Sequence, residues 1–506
     1  LSGYVIGQAT VDRVQVLLER GSGILLGDFV VLEDGDLRAM GVVDFMASGH
    51  RIASNGILSQ EAVEQLAKER EMGAYSIASI RILGVLQDGG LGGLPRRPIS
   101  VLSKVRRAKA SEISSVLQGG HLEIGHVLSN PGIGVRVDVN RMVARHLAIL
   151  SMTGGGKSNT VALLASELGK MGGTVIILDF HNEYVVDNGR FGGAQATVIV
   201  PKLNPRTVPV FMLMDILRIR PDASIQRALF YSLHRHLSER AETPLLDGML
   251  ELLDAMLKKD EERFGESEEL KHVYTSFKSK TDAILGLKNR IEFFVNSHGE
   301  ILDERASRTI EMVEEGKVNI IKVGLLPDYM IDVFVGTLLS DVLAARKAWH
   351  TGAGWGLRKP IFVVLEEAHI LVGKRKNTLT KEAVARIARE GRKFGVGLAL
   401  VSQRPSSMDQ DVLSQMNSII ALRMISKQDK NAVAEASDQV DEAMVESLSS
   451  LNPGEALLVG PFVPFPFFVK IRKMEGLLMS SDPDVVSEWM TEERGQKDDA
   501  FLIELD

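Results

Sequence analysis

HLAILSMTGGGKSNTVALLASELG, residues His146–Gly169, is the stretch that decides the fold. Four apolar residues lead into a glycine-rich turn, and after it apolar residues recur three and four apart, so the segment reads as strand, turn and helix. A turn of this kind at the start of a helix cradles phosphate. The backbone N–H groups of Gly154, Gly155, Gly156 and Lys157, with the helix N-terminus behind them, surround anionic oxygens. Lys157 then reaches the β- and γ-phosphates and Ser158 holds Mg²⁺, while Thr153 and Asn159 flank the loop and complete the nucleotide-binding set. Against the pattern G-x-x-x-x-G-K-[ST], Ser151 stands where glycine is expected, and the three consecutive glycines keep the loop permissive. Nothing here reads a base, so ATP is the default nucleotide.

Outward from the loop, apolar strands alternate with helical stretches. TVIILDF (Thr174–Phe180), VNIIKVG (Val318–Gly324), IFVVLE (Ile361–Glu366) and GLALVSQ (Gly397–Gln403) are continuous apolar runs, the texture of a parallel sheet covered on both faces. After Asn452-Pro453-Gly454, EALLVG and PFFVKIR are expected to finish the sheet. Residues 1–140 differ: GYVIGQAT, RVQVLLE and AYSIASIRILGVL are short alternating stretches between turn signals, which predict a small β-barrel with one helix at Gln60–Met72. The expected organisation is a barrel (1–140), an α/β core in two parts (141–213 and 313–472), a helical insertion (214–312) and an acidic extension (473–506). Within the insertion, Ile225, Leu229, Leu233 and Leu237 form one apolar stripe.

The second half of a nucleotide-hydrolysing site needs one carboxylate for Mg²⁺ and another to orient water. Glu366 and Glu367, leaving IFVVL as neighbours, supply both: Glu366 is assigned to the metal and Glu367 to the general base. Gln403, ending GLALVSQ, is placed as a polar sensor of the γ-phosphate or the water. Zinc chemistry has no support, since HExxH is absent and His234 and His236 diverge on a helix.

Composition bounds the rest. With 506 residues the chain has room for roughly three domains. It has no cysteine, so disulfides, thiolate metal sites and cysteine nucleophiles are excluded, as suits a reducing compartment or a hot-living source. No apolar run nears the ~20 residues of a membrane helix, and LSGYVIGQAT lacks the features of a secretory signal, so no membrane contact and a cytoplasmic location are expected. Net charge is −7, yet Leu371–Arg404 carries nine Lys/Arg against two Glu, and Glu475–Asp506 ten acidic residues against two basic. A locally basic surface can therefore exist on an acidic protein, and Lys374, Arg375 and Lys376, just after the hydrolytic strand, are the candidates for contact with DNA phosphate.

Taken in order, SMTGGGKS, LDFHNEY, VVLEEAH, REGRKFGVGLALVSQRPS and NPGEALLVG resemble the HerA family of DNA translocases, relatives of the FtsK motors, over nearly the whole chain. The resemblance implies a RecA-like P-loop NTPase core. It implies a homo-hexameric archaeal ring with nucleotide sites between neighbours, duplex DNA in the channel, and DNA end resection in double-strand break repair alongside a NurA-type nuclease. Carried over by position, Asp179 and Glu183 join the active-site neighbourhood, Asp179 among the nucleotide-binding residues, and Arg392 is the arginine finger inserted into the next subunit. Glu366 stands where many relatives have Asp. Two other classes remain open on the residues alone: a conjugation-type or protein-pumping ATPase, and an assembly factor switched by slow hydrolysis. DNA-stimulated hydrolysis separates them.

Overall fold

The computed structural model describes residues 2–50, 74–87, 90–238, 240, 243–375, 377–479 and 489. The helix expected at Gln60–Met72 and most of the acidic extension lie outside the described residues.

Strands Gly3–Ile6, Arg13–Leu18, Phe29–Asp34, Leu37–His50, Ala74–Gln87 and Lys104–Arg107 close into a six-stranded barrel, shut by pairing of Arg13–Leu18 with Ala74–Gln87. Arg13–Leu18 shows why: exposed and buried residues alternate along it, so Val14, Val16 and Leu18 turn inward onto Val5, Val30, Leu32, Ile80 and Val105.

A second sheet holds twelve strands. Its central seven, Ala194–Ile199, Val318–Ile321, Thr174–Leu178, Ile361–Leu365, Val396–Ser402, Leu147–Leu150 and Ser418–Leu422, are parallel neighbours in that order. Nearly every residue in them is buried, because helices cover both faces. The two strands expected after Asn452-Pro453-Gly454, Glu455–Val459 and Phe467–Ile471, extend the sheet, and they do so antiparallel.

The sheet then continues into Leu122–Val127 and Asn130–Val137. This corrects the expected end of the barrel near residue 140. Those strands alternate like barrel strands, but their apolar side packs with the core helix and sheet, and the barrel is already complete at Arg107.

Between the two parts of the core, helices Ser224–Ser238, Leu245–Lys258, Glu268–Phe277 and Thr281–His298 gather around Leu229, Phe230, Leu233, Leu253, Leu287 and Ile291, a core of their own. The bundle is entered through helix Val210–Ile216, slightly before the expected start at 214. Of the predicted stripe, Leu229 and Leu233 are fully buried, whereas Ile225 is 39% exposed at the first turn of its helix. Among the described residues no helix is long and apolar enough to cross a membrane.

Candidate active site

Register brings the chemistry together. Leu150 pairs with Ser402, and Leu178 with Leu365, so the residues that follow these strands, Ser151–Gly156, Asp179, Glu366–Glu367 and Gln403, emerge on one edge of the sheet. That edge, at the carboxyl ends of parallel strands, is where open α/β sheets bind ligands.

The phosphate loop is locally determined. Gly154 and Gly156 have φ of 73° and 107°, in the region that favours glycine, and helix Lys157–Lys170 starts directly after Gly156. Two neighbours brace the loop: Met152 donates its N–H to the carbonyl of Arg423 at 3.0 Å, and Gly454 donates its own to the carbonyl of Gly155 at 3.0 Å. The Asn452-Pro453-Gly454 turn thus supports the P-loop from behind. Lys157 lies back on its own loop, its Nζ donating to the Met152 carbonyl at 3.2 Å. Burial pulls its ammonium below the usual lysine range, and the carboxylates of Glu367, Glu183 and Glu366 oppose this. The Ser158 hydroxyl has no hydrogen-bond partner among the described residues.

The two adjacent glutamates occupy different surroundings. Glu366 is 4% exposed and accepts a hydrogen bond from the Tyr184 hydroxyl on Oε1, while its buried Oε2 has no partner among the described residues. Burial drives its carboxyl well above the usual carboxylate range; the Tyr184 bond opposes that, and the charges of Glu183 and Asp179 add to it. An orphaned buried acceptor of this kind is costly unless a cation or water completes it. Together with the free Ser158 hydroxyl, it fits the one-hydroxyl, one-carboxylate shell that Mg²⁺ takes beside substrate phosphates. Among the described residues no cluster of three or more His, Asp or Glu offers an all-protein metal cage.

Glu367 has a left-handed backbone, φ 43° and ψ 37°, which costs a non-glycine residue on the order of 1–3 kcal/mol and is typical of functional sites. Its carboxylate is gripped from several directions. His181 Nε2 stands 3.2 Å from Oε1, and Gln403 Nε2 donates to Oε2 at 3.3 Å. His369 Nδ1 stands 3.2 Å from Oε2 and 3.3 Å from the Ser402 hydroxyl. Gln403 in turn accepts from the Thr153 hydroxyl at 2.6 Å, which links the P-loop to the proposed base through one amide.

Two of the expected site residues have side chains that the protein itself engages. Asp179 is fully buried, and its carboxylate is taken up by Lys322 Nζ at 2.8 Å and the N–H groups of Glu183 and Tyr184 at 3.2 and 3.4 Å. It therefore shapes the 179–184 turn. That turn aims Tyr184 at Glu366 and His181 at Glu367, one partner for each carboxylate. Asn159 is likewise occupied, donating to the Arg472 carbonyl at 3.0 Å and accepting from the Met474 N–H at 2.7 Å, so it ties the P-loop helix to the end of the core. Tyr184, His181, His369 and Lys322 escaped the sequence reading; LDFHNEY and EEAH were on view, but the pairing of their side chains was not.

Arg392 does not join this cluster. It is exposed near the C-terminus of helix Leu379–Phe394, and among the described residues it has no partner. The strand that follows starts at Val396, which pairs with Ile361, the first residue of its strand. Arg392 therefore sits at the amino edge of the sheet, a strand length of roughly 20 Å from its own P-loop edge. Lys374 and Arg375 are exposed just past helix Ala368–Leu371, on a loop held by a hydrogen bond from the Lys374 N–H to the Ser407 carbonyl at 3.1 Å; Lys376 lies outside the described residues.

Residues 122–342 match the family model described as the central domain of helicase HerA, and residues 351–460 match that of the HerA-like C-terminal region. The chain belongs to the HerA helicase family. It is 37% identical over 498 residues to the DNA double-strand break repair helicase HerA of Sulfurisphaera tokodaii, covering 96% of each chain. To the protein of the same name from Saccharolobus solfataricus it is 36% identical over 503 residues, covering 98% of this chain and 97% of the relative. Among solved structures, VirB4 of Thermoanaerobacter pseudethanolicus is similar at a TM-score of 0.47 and 17% identity, over 71% of this chain and 98% of that one. As a HerA-family member, the chain is an ATPase of the helicase class.

Proposed function

We infer that this HerA-family chain is an ATP-driven translocase and helicase of double-stranded DNA, working in the cytoplasm as a hexameric ring in the repair of double-strand breaks, with a NurA-type nuclease as partner. The observation that carries the reading is the separation of Arg392 from the rest of the site. Lys157, Ser158, Glu366, Glu367 and Gln403 meet on one edge of the sheet, and the free guanidinium stands on the opposite edge. A subunit cannot supply that cation to its own ATP. A neighbour can, which makes a closed ring the natural assembly.

In such a ring the P-loop amides and Lys157 bind the phosphates, and Lys157 swings off the Met152 carbonyl to reach them. Ser158 and Glu366 Oε2 would hold Mg²⁺, which supplies positive charge to the β- and γ-phosphate oxygens. Glu367 takes the proton of the attacking water, Gln403 orients the water or the γ-phosphate, and Arg392 of the neighbouring subunit would stabilise charge as it develops. The relatives' names, DNA double-strand break repair helicase, supply the substrate class.

The test compares Lys157→Ala with Glu367→Gln, with and without duplex DNA. Lys157→Ala should lose ATP binding, and Glu367→Gln should keep it while losing most turnover. Parent ATPase should rise on adding duplex. Hydrolysis by Glu367→Gln at the parent rate would move the base elsewhere, and hydrolysis indifferent to DNA would favour a protein-pumping motor.

A further inference from the structure

The general base has three rotatable side-chain torsions, and something must hold its carboxylate once ATP has entered. Oε2 is held by Gln403 and flanked by His369, and Oε1 is met by His181. The other end of the same amide accepts from Thr153 of the P-loop, so Gln403 is shared between Glu367 and the loop that receives the γ-phosphate. Oε2 is thus the oxygen linked to the phosphate loop. Oε1 has its own partner in His181, which is fixed from a different quarter.

That fixing is built into the 179–184 turn. Lys322 pairs with buried Asp179, and the Asp179 carboxylate holds the backbone N–H groups of Glu183 and Tyr184. Gly324 lets the turn close: a Cβ there would lie 2.1 Å from the carbonyl oxygen of Phe180, the residue before His181. None of these contacts involves the phosphate loop.

The chemistry of the pair is also determined. A carboxylate only accepts, so the proton of the His181–Glu367 bond belongs to His181 Nε2, and the ring donates. The His181 side chain is 60% exposed and, among the described residues, makes no other side-chain hydrogen bond, so it contributes little packing to the fold. We propose that His181 is a positioning residue for hydrolysis: by donating Nε2–H to Oε1 it holds Glu367 so that Oε2 faces the attacking water. The proposal rests on Glu367 being the base.

The experiment is steady-state ATP hydrolysis by the full chain with Mg²⁺ and duplex DNA, together with binding of a non-hydrolysable ATP analogue. His181→Ala should lower kcat roughly ten- to a hundredfold, the loss expected for one charge-assisted hydrogen bond, with KM and analogue affinity little changed. His181→Gln, whose amide nitrogen takes the place of Nε2, should recover most of the rate, which a purely steric role would not produce. Parent-like kcat in His181→Ala overturns the proposal, as does a loss confined to KM or a His181→Gln variant as slow as His181→Ala. Glu367→Gln, run alongside, separates the two failures: if it hydrolyses ATP like the parent, the assignment of the base falls first.

Discussion

Ser151 fills the space that a side chain at Gly155 would need: its Oγ lies 1.9 Å from where a Cβ on Gly155 would stand. The hydroxyl is seated there by donating to the Met152 carbonyl at 2.8 Å, within a fully buried site. The departure from the usual glycine at 151 is thus matched by the glycine at 155. Gly155→Ala should disrupt the loop and cut ATP affinity at least tenfold, a cost of about 1.4 kcal/mol. Adding Ser151→Gly should restore much of it, since the clashing atom is then gone. Titration with a fluorescent ATP analogue measures both; equal affinity of Gly155→Ala and the parent would show that the loop absorbs the extra methyl.

Lys374 and Arg375 are exposed on the loop past helix Ala368–Leu371, a position from which two cations can meet a polyanion. Replacing Lys374, Arg375 and Lys376 by Ala should weaken duplex binding equally across sequences. The plot of log affinity against log salt should flatten by ~0.9 for each DNA phosphate that the variant no longer neutralises. A slope identical to the parent's would place the loop away from DNA.

Arg392 stands at the sheet edge opposite its own P-loop, which predicts action in trans. Arg392→Ala should keep ATP binding and ring formation while losing roughly a thousandfold in turnover. Mixing it with Lys157→Ala, nearly inactive by itself, should recover part of the ATPase, because some interfaces then pair a sound P-loop with a sound arginine. Subunits fused in pairs keep the expectation testable even if firing around the ring is coordinated. Parent-rate hydrolysis by Arg392→Ala rings would remove the residue from the mechanism.

His146 ties the P-loop strand to the helix carrying Arg392. Its Nδ1 accepts the Leu398 N–H at 3.1 Å, and Nε2–H faces the Ala388 carbonyl at 3.3 Å, so the buried ring is neutral. Burial lowers it from an ordinary 6.5 to about 4, the Ala388 contact partly opposing. Below pH 6.5 the unfolded chain takes up a proton that the folded chain refuses. The associated stability is therefore complete above 6.5 and drains away as pH falls to about 4, a loss on the order of 3 kcal/mol. Urea midpoints at about pH 7 and about pH 5 should differ more in the parent than in His146→Asn, which keeps a residue tolerant of the positive φ of 61°. Equal differences in the two chains would deny His146 this role.

Local sequence determined what local geometry can carry. The phosphate loop needs glycines at positive φ between a strand and a helix within about ten residues, and SMTGGGKS states that outright. The apolar strands announced a parallel sheet because burial on both faces erases alternation, and the Glu366-Glu367 pair was visible at the end of such a strand. Tertiary structure decided whatever depended on partners far along the chain. Alternation in 122–137 is the same in a barrel wall as on an antiparallel edge of the core, so only pairing with Phe467–Ile471 assigned those strands. Asp179 reads as a carboxylate of the site, and only the fold brought Lys322, 143 positions on, to pair with it and make it the support of a loop. The same folding placed His181 on Glu367 and Tyr184 on Glu366, and put Arg392 on the far edge. A side chain's charge is written in its residue type, but its role follows from which group, brought near by the fold, satisfies or leaves open that charge.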